Sequence, residues 1–373
     1  MADRNTPPPL VTAAPGGLAV DVGGREPLAM IDPWRPAPLA IITHAHADHA
    51  FRGSEKYLCS KPGVGVLQTR MGKDAVIEGH AYGEPFRVEG GVEGEGGAVE
   101  VTFFPAGHVL GSAQVRLRVI ESDQPADERT WGVTGDCNFT ARPEDPNPTC
   151  ARFEPVASDV LLIESTFGLP IYRWPDPREE FAKLNDWWKS NAANGRTSIV
   201  MAYGLGKAQR VLAGLDPSIG PIGVHGAIEK LIPDYEAEGI ELPEVVHTTQ
   251  KARKGLRGVA MIIAPPGILG SPWLRSFGST RTSMASGFMV VRGRRRWRSF
   301  DHGCVISDHA DWPGLLGIVE ASGAKSVGVT HGASEPLARY LAETRGLDTF
   351  VVPTRYRGEA EEEVASNSEG EGD

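Results

Sequence analysis

The chain has 373 residues, enough for about two average domains and a well-buried core. With 40% apolar and 23% charged residues it falls among ordinary globular proteins, and no run approaches the roughly 18 apolar residues that span a bilayer. The formal net charge of −10 speaks against a nucleic-acid partner until its distribution along the chain is read.

In chain order, the N-terminus lacks the basic-then-apolar layout of a signal peptide, so no membrane partner is expected and the cytoplasm is the expected location. Strands are expected at Ala19–Val22, Leu39–Ile42, Val99–Phe104, Gln114–Val119, Trp131–Thr134, Val160–Ile163, Ser198–Met201 and Val259–Ile263. Further strands are expected at Val305–Ile306, Val327–Val329 and Phe350–Val352. The 114–119 segment alternates Val115, Leu117 and Val119 with polar or basic residues, as a half-exposed strand does. Helices are expected at 177–193, 206–214, 227–239, 312–322 and 334–345. Asp311 is placed to cap the fourth, which has Pro313 in its first turn, and Gly346 is placed to end the fifth. Strand–helix alternation from about 180 to 265 suggests a second α/β unit.

Cys59, Cys137, Cys150 and Cys304 lie far apart with no Cys-x-x-Cys pair. That excludes a thiolate zinc ribbon and argues against a disulfide framework. Thr248 to Phe300 contains no Asp or Glu but eleven Lys or Arg, five of them in Arg292-Gly-Arg-Arg-Arg-Trp-Arg298. Clustered cations of this kind suit a phosphate backbone, although a solvated basic loop is the plainer alternative for the Arg run alone. Residues 359–373 carry seven acids and no base, so without them the imbalance falls from −10 to −3. With no aromatic residue this tail cannot bury enough surface to fold, and it is expected to be disordered.

The chemistry concentrates in Thr43-His44-Ala-His46-Ala-Asp48-His49, directly after an expected strand. Three imidazoles and a carboxylate within six residues can converge on one point where the chain turns, and they suit a divalent borderline metal such as zinc. His108, Asp136 and His331 each follow an apolar run as well. In an α/β layer structure such strand ends share one rim, where sites assemble.

His-x-His-x-Asp-His followed by a spaced His, Asp and His resembles the metallo-β-lactamase fold, an α/β αββα sandwich. Glu164-Ser-Thr-Phe-Gly168, Ser307-Asp-His309-Ala-Asp311 and Thr330-His331-Gly332 are similar to motifs A, B and C of its β-CASP nuclease branch. Ala202-Tyr-Gly-Leu-Gly-Lys-Ala-Gln-Arg210, His225-Gly-Ala, Ala285-Ser-Gly287 and Asp308-His-Ala-Asp-Trp312 resemble bacterial ligase-associated DNA exonucleases over residues 15 to 357. The resemblance implies that His44, His46 and His108 hold one metal ion, and that Asp48, His49 and His331 hold a second. Asp136 would bridge the two, and Asp21 would orient the loop. It also implies a discontinuous catalytic domain, 1–179 and 298–358, interrupted by a β-CASP cap at 180–297 that covers the metal site. The strands near 305, 328 and 351 would return to complete the sandwich. Repair alongside a DNA ligase and a helicase enters only through this resemblance.

Two cations about 3.5–4 Å apart can lower the pKa of a shared water, clamp a phosphoryl oxygen and stabilise the leaving oxygen. Zinc is favoured, with manganese as the second choice. His309, assisted by Glu164, is the candidate for protonating the leaving sugar oxygen, so Asp48, Asp136, His309 and Glu164 form the expected catalytic set. Lys207, Ser286, Gly287, Arg292, Arg294, Arg295 and Arg296 are candidate substrate contacts. Gly204-Leu-Gly-Lys207 lacks the spacing of an ATPase phosphate loop and is expected to open a helix. His225 has a weaker claim to substrate contact. The leading expectation is a metal-dependent DNA exonuclease. The alternative is an RNA-processing β-CASP ribonuclease, because His at motif C is the pattern of RNA-cleaving members. A non-catalytic nucleic-acid binder is disfavoured by a full set of ligand positions. A thiolester hydrolase shares the histidine motif but needs neither motifs A to C nor a basic window.

Overall fold

The structure is a computed structural model that describes residues 9–22, 26–89, 97–122, 126–140, 147–291 and 300–354. Arg292, Arg294, Arg295, Arg296 and the acidic tail from 359 lie outside the described residues. The described chain is α/β and divides into two compact units, one of residues 9–140, 150–169 and 312–354, the other of 147–149 and 170–311.

The first unit holds two sheets. One runs in chain order through β1 (Val11–Ala14), β2 (Gly17–Val20), β3 (Ala29–Ile31), β4 (Leu39–Ile41), β5 (Lys56–Ser60) and β6 (Ile77–His80). The other takes β7 (Phe86–Glu89), β8 (Ala98–Pro105), β9 (Ala113–Glu121), β10 (Trp131–Val133) and β11 (Val160–Ser165). Late in the chain it gains β18 (Ser326–Gly332) and β19 (Asp348–Val351), giving the order β19-β18-β11-β10-β9-β8-β7. The period of two along β8 and β9 decides which face is buried. Val101 lies opposite Leu117 and Phe103 opposite Val115, all buried. Glu100 lies opposite Arg118, with which it forms a 3.1 Å ion pair. The buried set meets Val20, Ile31 and Ile41 of the first sheet in one shared core. Each such side chain contributes about 1.5–3 kcal/mol on burial. Helix α1 (Val64–Met71) lies beside β6. Helices α8 (Trp312–Ser322) and α9 (Ser334–Arg345) lie against the second sheet, so helices flank the paired sheets on both sides. Helix α9 ends at Gly346 in the left-handed conformation, as its sequence suggests.

The second unit is built on a wholly parallel sheet of β12 (Thr197–Met201), β13 (Ile222–Val224), β14 (Val246–His247), β15 (Met261–Ala264), β16 (Thr280–Ala285) and β17 (His302–Cys304). Its order is β14-β13-β15-β12-β16-β17. Both faces are apolar, the pattern of a parallel sheet covered on each side. Val200 points into one core with Leu184 and Trp188 of α2 (Pro177–Ala193), whereas Ile199 and Met201 join Leu256 and Phe277 in the other. Asp176 caps α2 by accepting from Arg178 N at 2.9 Å, with Pro177 in the first turn. Helix α3 is Lys207–Ala213. The helix expected at 227–239 is two helices, α4 (Gly226–Glu229) and α5 (Ile232–Ala237). Pro233 in the first turn of α5 has no N–H to continue the earlier helix. Helices α6 (Ala252–Leu256) and α7 (Pro272–Arg275) follow. The strand expected near 305 to complete the sandwich is β17, which instead pairs with β16 at the edge of this third sheet. Cys304 and Ile306 fill the core of that unit. Among the described residues, no helix is long and apolar enough to cross a membrane.

Candidate metal centre

In the second sheet β9 is antiparallel to both β8 and β10, and β10, β11 and β18 are mutually parallel. The carboxyl ends of β8, β10, β11 and β18 therefore form one rim. His108 follows β8, Asp136 follows β10, Glu164 is the penultimate residue of β11 and His331 lies in β18. The loop of His44, His46, Asp48 and His49 follows β4 in the facing sheet and is tied across by Ala113 N donating to Thr43 O at 2.8 Å.

The residue that orients this loop is Asp32, not Asp21. Asp32 follows β3, whose parallel pairing with β4 sets the two strand ends side by side. Its Oδ1 accepts from Thr43 N at 2.8 Å, and its Oδ2 accepts from Thr43 Oγ1 at 2.6 Å and lies 2.7 Å from His49 Nδ1. One carboxylate thereby fixes the start of the loop and the ring at its end. With Nδ1–H turned to a carboxylate, His49 Nε2 keeps its lone pair for a metal. Asp32 has φ 44° and His331 φ 49°, both in the left-handed region that non-glycine residues seldom occupy. Such conformations cluster at functional sites and persist where their surroundings hold them. Ser165 helps to hold His331, its hydroxyl donating to Thr330 O at 2.9 Å. Gly135 has φ 54°, and a Cβ there would lie 2.6 Å from the Thr43 side chain, so the turn that delivers Asp136 requires glycine.

The seven expected ligands converge in two groups. His46 Nδ1 lies 3.1 Å from His44 Nε2 and 3.2 Å from His108 Nε2, and these two nitrogens lie 3.5 and 3.7 Å from Asp136 Oδ2. One atom each from His44, His46, His108 and Asp136 falls within 4.8 Å of all the others. On the other side, His49 Nε2 lies 3.4 Å from Asp136 Oδ1 and 3.5 Å from Asp48 Oδ2, and the His331 ring stacks on His49 at 5.2 Å. Asp136 thus turns one oxygen to each group.

His44, His49, His108 and Asp136 are buried, and both Asp48 oxygens and His49 Nε2 have no hydrogen-bond partner among the described residues. Leaving such atoms unsatisfied costs several kcal/mol each, and a divalent cation satisfies them. Burial works against a charged His49, yet Asp136, Asp48 and Asp32 raise its pKa well above the usual value. Burial likewise disfavours ionised Asp48, but His49, His46 and His331 hold its carboxyl below the ordinary range. The pocket favours positive charge among carboxylates, which is the electrostatics of a cation site.

Glu164 is buried, and its oxygens accept from Cys137 N at 2.7 Å and Thr166 Oγ1 at 2.5 Å, bracing the turn that carries Asp136. In the second unit the other expected residues share the carboxyl edge of the parallel sheet. Lys207 opens α3 after β12, buried, with its Nζ 5.0 Å from the Tyr203 ring. Ser286 and Gly287 follow β16, Ser286 Oγ accepting from Phe288 N at 3.2 Å. His309 follows β17. Its N–H donates to Ser307 Oγ at 3.1 Å and its carbonyl accepts from Trp174 Nε1 at 2.9 Å. Asp311, expected as a helix cap, accepts from Trp174 N at 2.9 Å.

Paired sheets flanked by helices, with a His/Asp cluster on one rim, are consistent with a metallo-β-lactamase-type fold. A crystal structure of a protein of unknown function from Enterococcus faecalis V583 shares the fold with a TM-score of 0.53 over 86% of this chain and 80% of that one, at 13% identity. The chain is 30% identical over 322 residues to "Probable DNA ligase" of Opitutus terrae, a match covering 86% of this chain and 29% of the ligase. It is 27% identical over 197 residues to "RNase J-like protein" of Methanocaldococcus jannaschii, covering 46% of this chain and 42% of that protein. It is also 32% identical over 118 residues to "Endoribonuclease YSH1" of Saccharomyces cerevisiae, covering 32% and 14%. The chain thus spans less than half the length of each of these relatives. No protein-family model matches it. The chain belongs with the metallo-β-lactamase/β-CASP nuclease relatives.

Proposed function

We propose that the protein is a metal-dependent nuclease, in the first place an exodeoxyribonuclease that works in DNA repair beside a ligase. The observation that carries this reading is the seven-residue nitrogen and oxygen cluster divided by Asp136. The match of most of the chain to part of a longer DNA ligase favours DNA. In this reading His44, His46 and His108 would hold one divalent cation, Asp48, His49 and His331 would hold a second, and Asp136 would serve both. The donor set suits zinc, with manganese as the alternative. When bound, such ions supply Lewis acidity to a phosphoryl oxygen and acidify water.

The chain's own residues do the rest. Asp32 holds the His49 tautomer, Glu164 braces the Asp136 turn, and His309 donates a proton to the leaving sugar oxygen, with Glu164 supporting it. The second unit, 170–311 by its contacts and 180–297 as read from the sequence, is the β-CASP cap set into a catalytic domain of 1–179 and 298–358. Lys207, Ser286, Gly287 and the arginines Arg292, Arg294, Arg295 and Arg296 contact substrate.

A second reading, an RNA-processing nuclease, is favoured by the names of the RNase J-like and endoribonuclease relatives and by His331 at motif C. Digestion of end-labelled single-stranded DNA and RNA of matched sequence, with zinc or manganese, separates the two. Mononucleotides released from one end of the DNA support the first reading. Cleavage of RNA alone supports the second, and no cleavage of either overturns both.

A further inference from the structure

His225 and Arg253 come together at the edge of the parallel sheet from separate segments, and the proposed function gives neither a role. His225 directly follows β13, and its N–H donates to Ile263 O of β15 at 2.9 Å. Its Nδ1 accepts from Ala227 N at 3.2 Å, so the ring proton sits on Nε2. Among the described residues nothing bonds that Nε2. Burial and the nearby Arg253 charge lower the pKa of His225, which keeps it a neutral donor at pH 7.

Arg253 lies in α6, half-buried. Its Nε donates to Thr248 O at 2.8 Å and its Nη1 to Ser276 Oγ at 3.3 Å, two neutral acceptors that fix the guanidinium plane. Among the described residues no carboxylate pairs with it and Nη2 has no partner. Trp273 braces both groups: the His225 ring meets it edge-on at 4.9 Å, and the Arg253 guanidinium lies 5.7 Å from its centre. Phe277 packs edge-on against the same indole at 4.8 Å, so Trp273 acts as a wall rather than an open stacking platform. A partly buried, immobilised guanidinium without a counter-charge, beside a neutral N–H donor, is suited to an oxyanion. The stretch from Thr248 to Phe300, which supplies Arg253 and Trp273, contains no acidic residue.

We propose that His225 and Arg253, walled by Trp273, bind one backbone phosphate of the nucleic-acid strand, as a positioning site of the second unit. The inference rests on the nuclease reading above. Arg253 supplies charge and a planar fork, and His225 supplies an uncharged hydrogen bond, so the two contribute differently to the salt dependence of binding.

The test uses the full chain in EDTA, so that no substrate is consumed, with fluorescein-labelled oligothymidylate and oligouridylate as probes and fluorescence anisotropy measured across a salt series. Arg253→Gln is expected to weaken binding about 3- to 10-fold and to reduce the slope of log K against log[salt] by about 0.7, the value for one phosphate of a single strand. His225→Asn retains an acceptor for Ala227 N and is expected to weaken binding about 3-fold with the slope unchanged, because a neutral donor releases no counterion. Thermal melting checks that each variant is folded, and either one suffices if the other is not. A wild-type slope in Arg253→Gln, or wild-type affinity in His225→Asn, overturns the site. If the wild-type protein neither binds these oligomers nor cleaves them with metal restored, the nuclease reading itself fails. Normal binding and cleavage with unaltered variants remove only the phosphate site.

Discussion

Asp136 and His49 show how few atoms the proposed chemistry needs. Asp136 directs one oxygen to each ligand group, and His49 spans from Asp32 on one nitrogen to Asp136 and Asp48 on the other. Asp48→Asn or His49→Ala is expected to reduce metal content by up to one ion per chain and to abolish nuclease activity. Circular dichroism and melting should stay near wild type, because these rim residues are not part of the apolar core. Elemental analysis and an end-labelled digest check both outcomes, and full activity in both variants would sink the two-ion assignment. Asp32→Asn should leave the ligands in place but weaken metal affinity about 10- to 100-fold, the usual effect of losing a carboxylate behind a ligating histidine. His309→Ala is expected to keep its metal and lose on the order of 10²- to 10⁴-fold in turnover on oligonucleotides. On an aryl phosphodiester, whose phenolate leaves without a proton, that loss should shrink sharply. Metal loss in His309→Ala, or equal impairment on both substrates, would assign His309 to the metal shell or the scaffold.

Strand ends and tight turns decide whether these side chains can meet. The Asp136 turn depends on Gly135, whose φ of 54° and close approach to Thr43 leave no room for a side chain. Gly135→Ala is expected to cost about 1–3 kcal/mol in denaturant unfolding, from backbone strain and the displaced loop. It should also lower metal content, because the same turn presents Asp136; wild-type stability and metal content would show that the turn relaxes freely. The cysteines follow the same burial pattern. Cys59 is buried and its pKa is pushed up to about 12, and Cys137 is raised well above its usual value by burial and then by Glu164. Both thiols therefore stay protonated and unreactive at neutral pH. Partly exposed Cys150 should be alkylated by iodoacetamide well before Cys59, Cys137 and Cys304, and mass spectrometry of the native protein reads the order directly.

Across the whole molecule, charge is segregated along the chain: an acidic tail follows a body whose 248–300 stretch is purely basic. Clustered cations of this kind supply the sequence-independent part of nucleic-acid binding. Replacing Arg294, Arg295 and Arg296 together with Ala is expected to weaken substrate binding and flatten its salt dependence, by about 0.7 in slope for each single-strand phosphate that is no longer neutralised. Turnover at saturating substrate should change little. An unaltered salt slope would mean that the run is a solvated loop.

Much of the chemistry is legible along the chain, because its signals act over short distances. Helices at 177–193, 312–322 and 334–345 carry their own boundaries in Asp176-Pro177, Pro313 and Gly346, which work through neighbours a few residues away. His44, His46, Asp48, His49, His108, Asp136 and His331 stand out because imidazoles and carboxylates directly after apolar runs have few other uses. Asp32 is invisible in this way: β3 has three residues and no readable period. Its bond to His49, seventeen positions away, exists only once β3 and β4 pair in parallel. The sheet that β17 joins is equally hidden, since a strand edge offers the same backbone donors and acceptors to any neighbour. That choice is settled by the register of Ser283–Ala285 against His302–Cys304. The pairing of His225 with Arg253 is likewise tertiary, two segments of no local relation brought to one edge by the order of a parallel sheet. Residue chemistry is carried by the sequence itself. Which of those residues meet is decided by strand pairing, whose hydrogen bonds carry no record of side-chain identity.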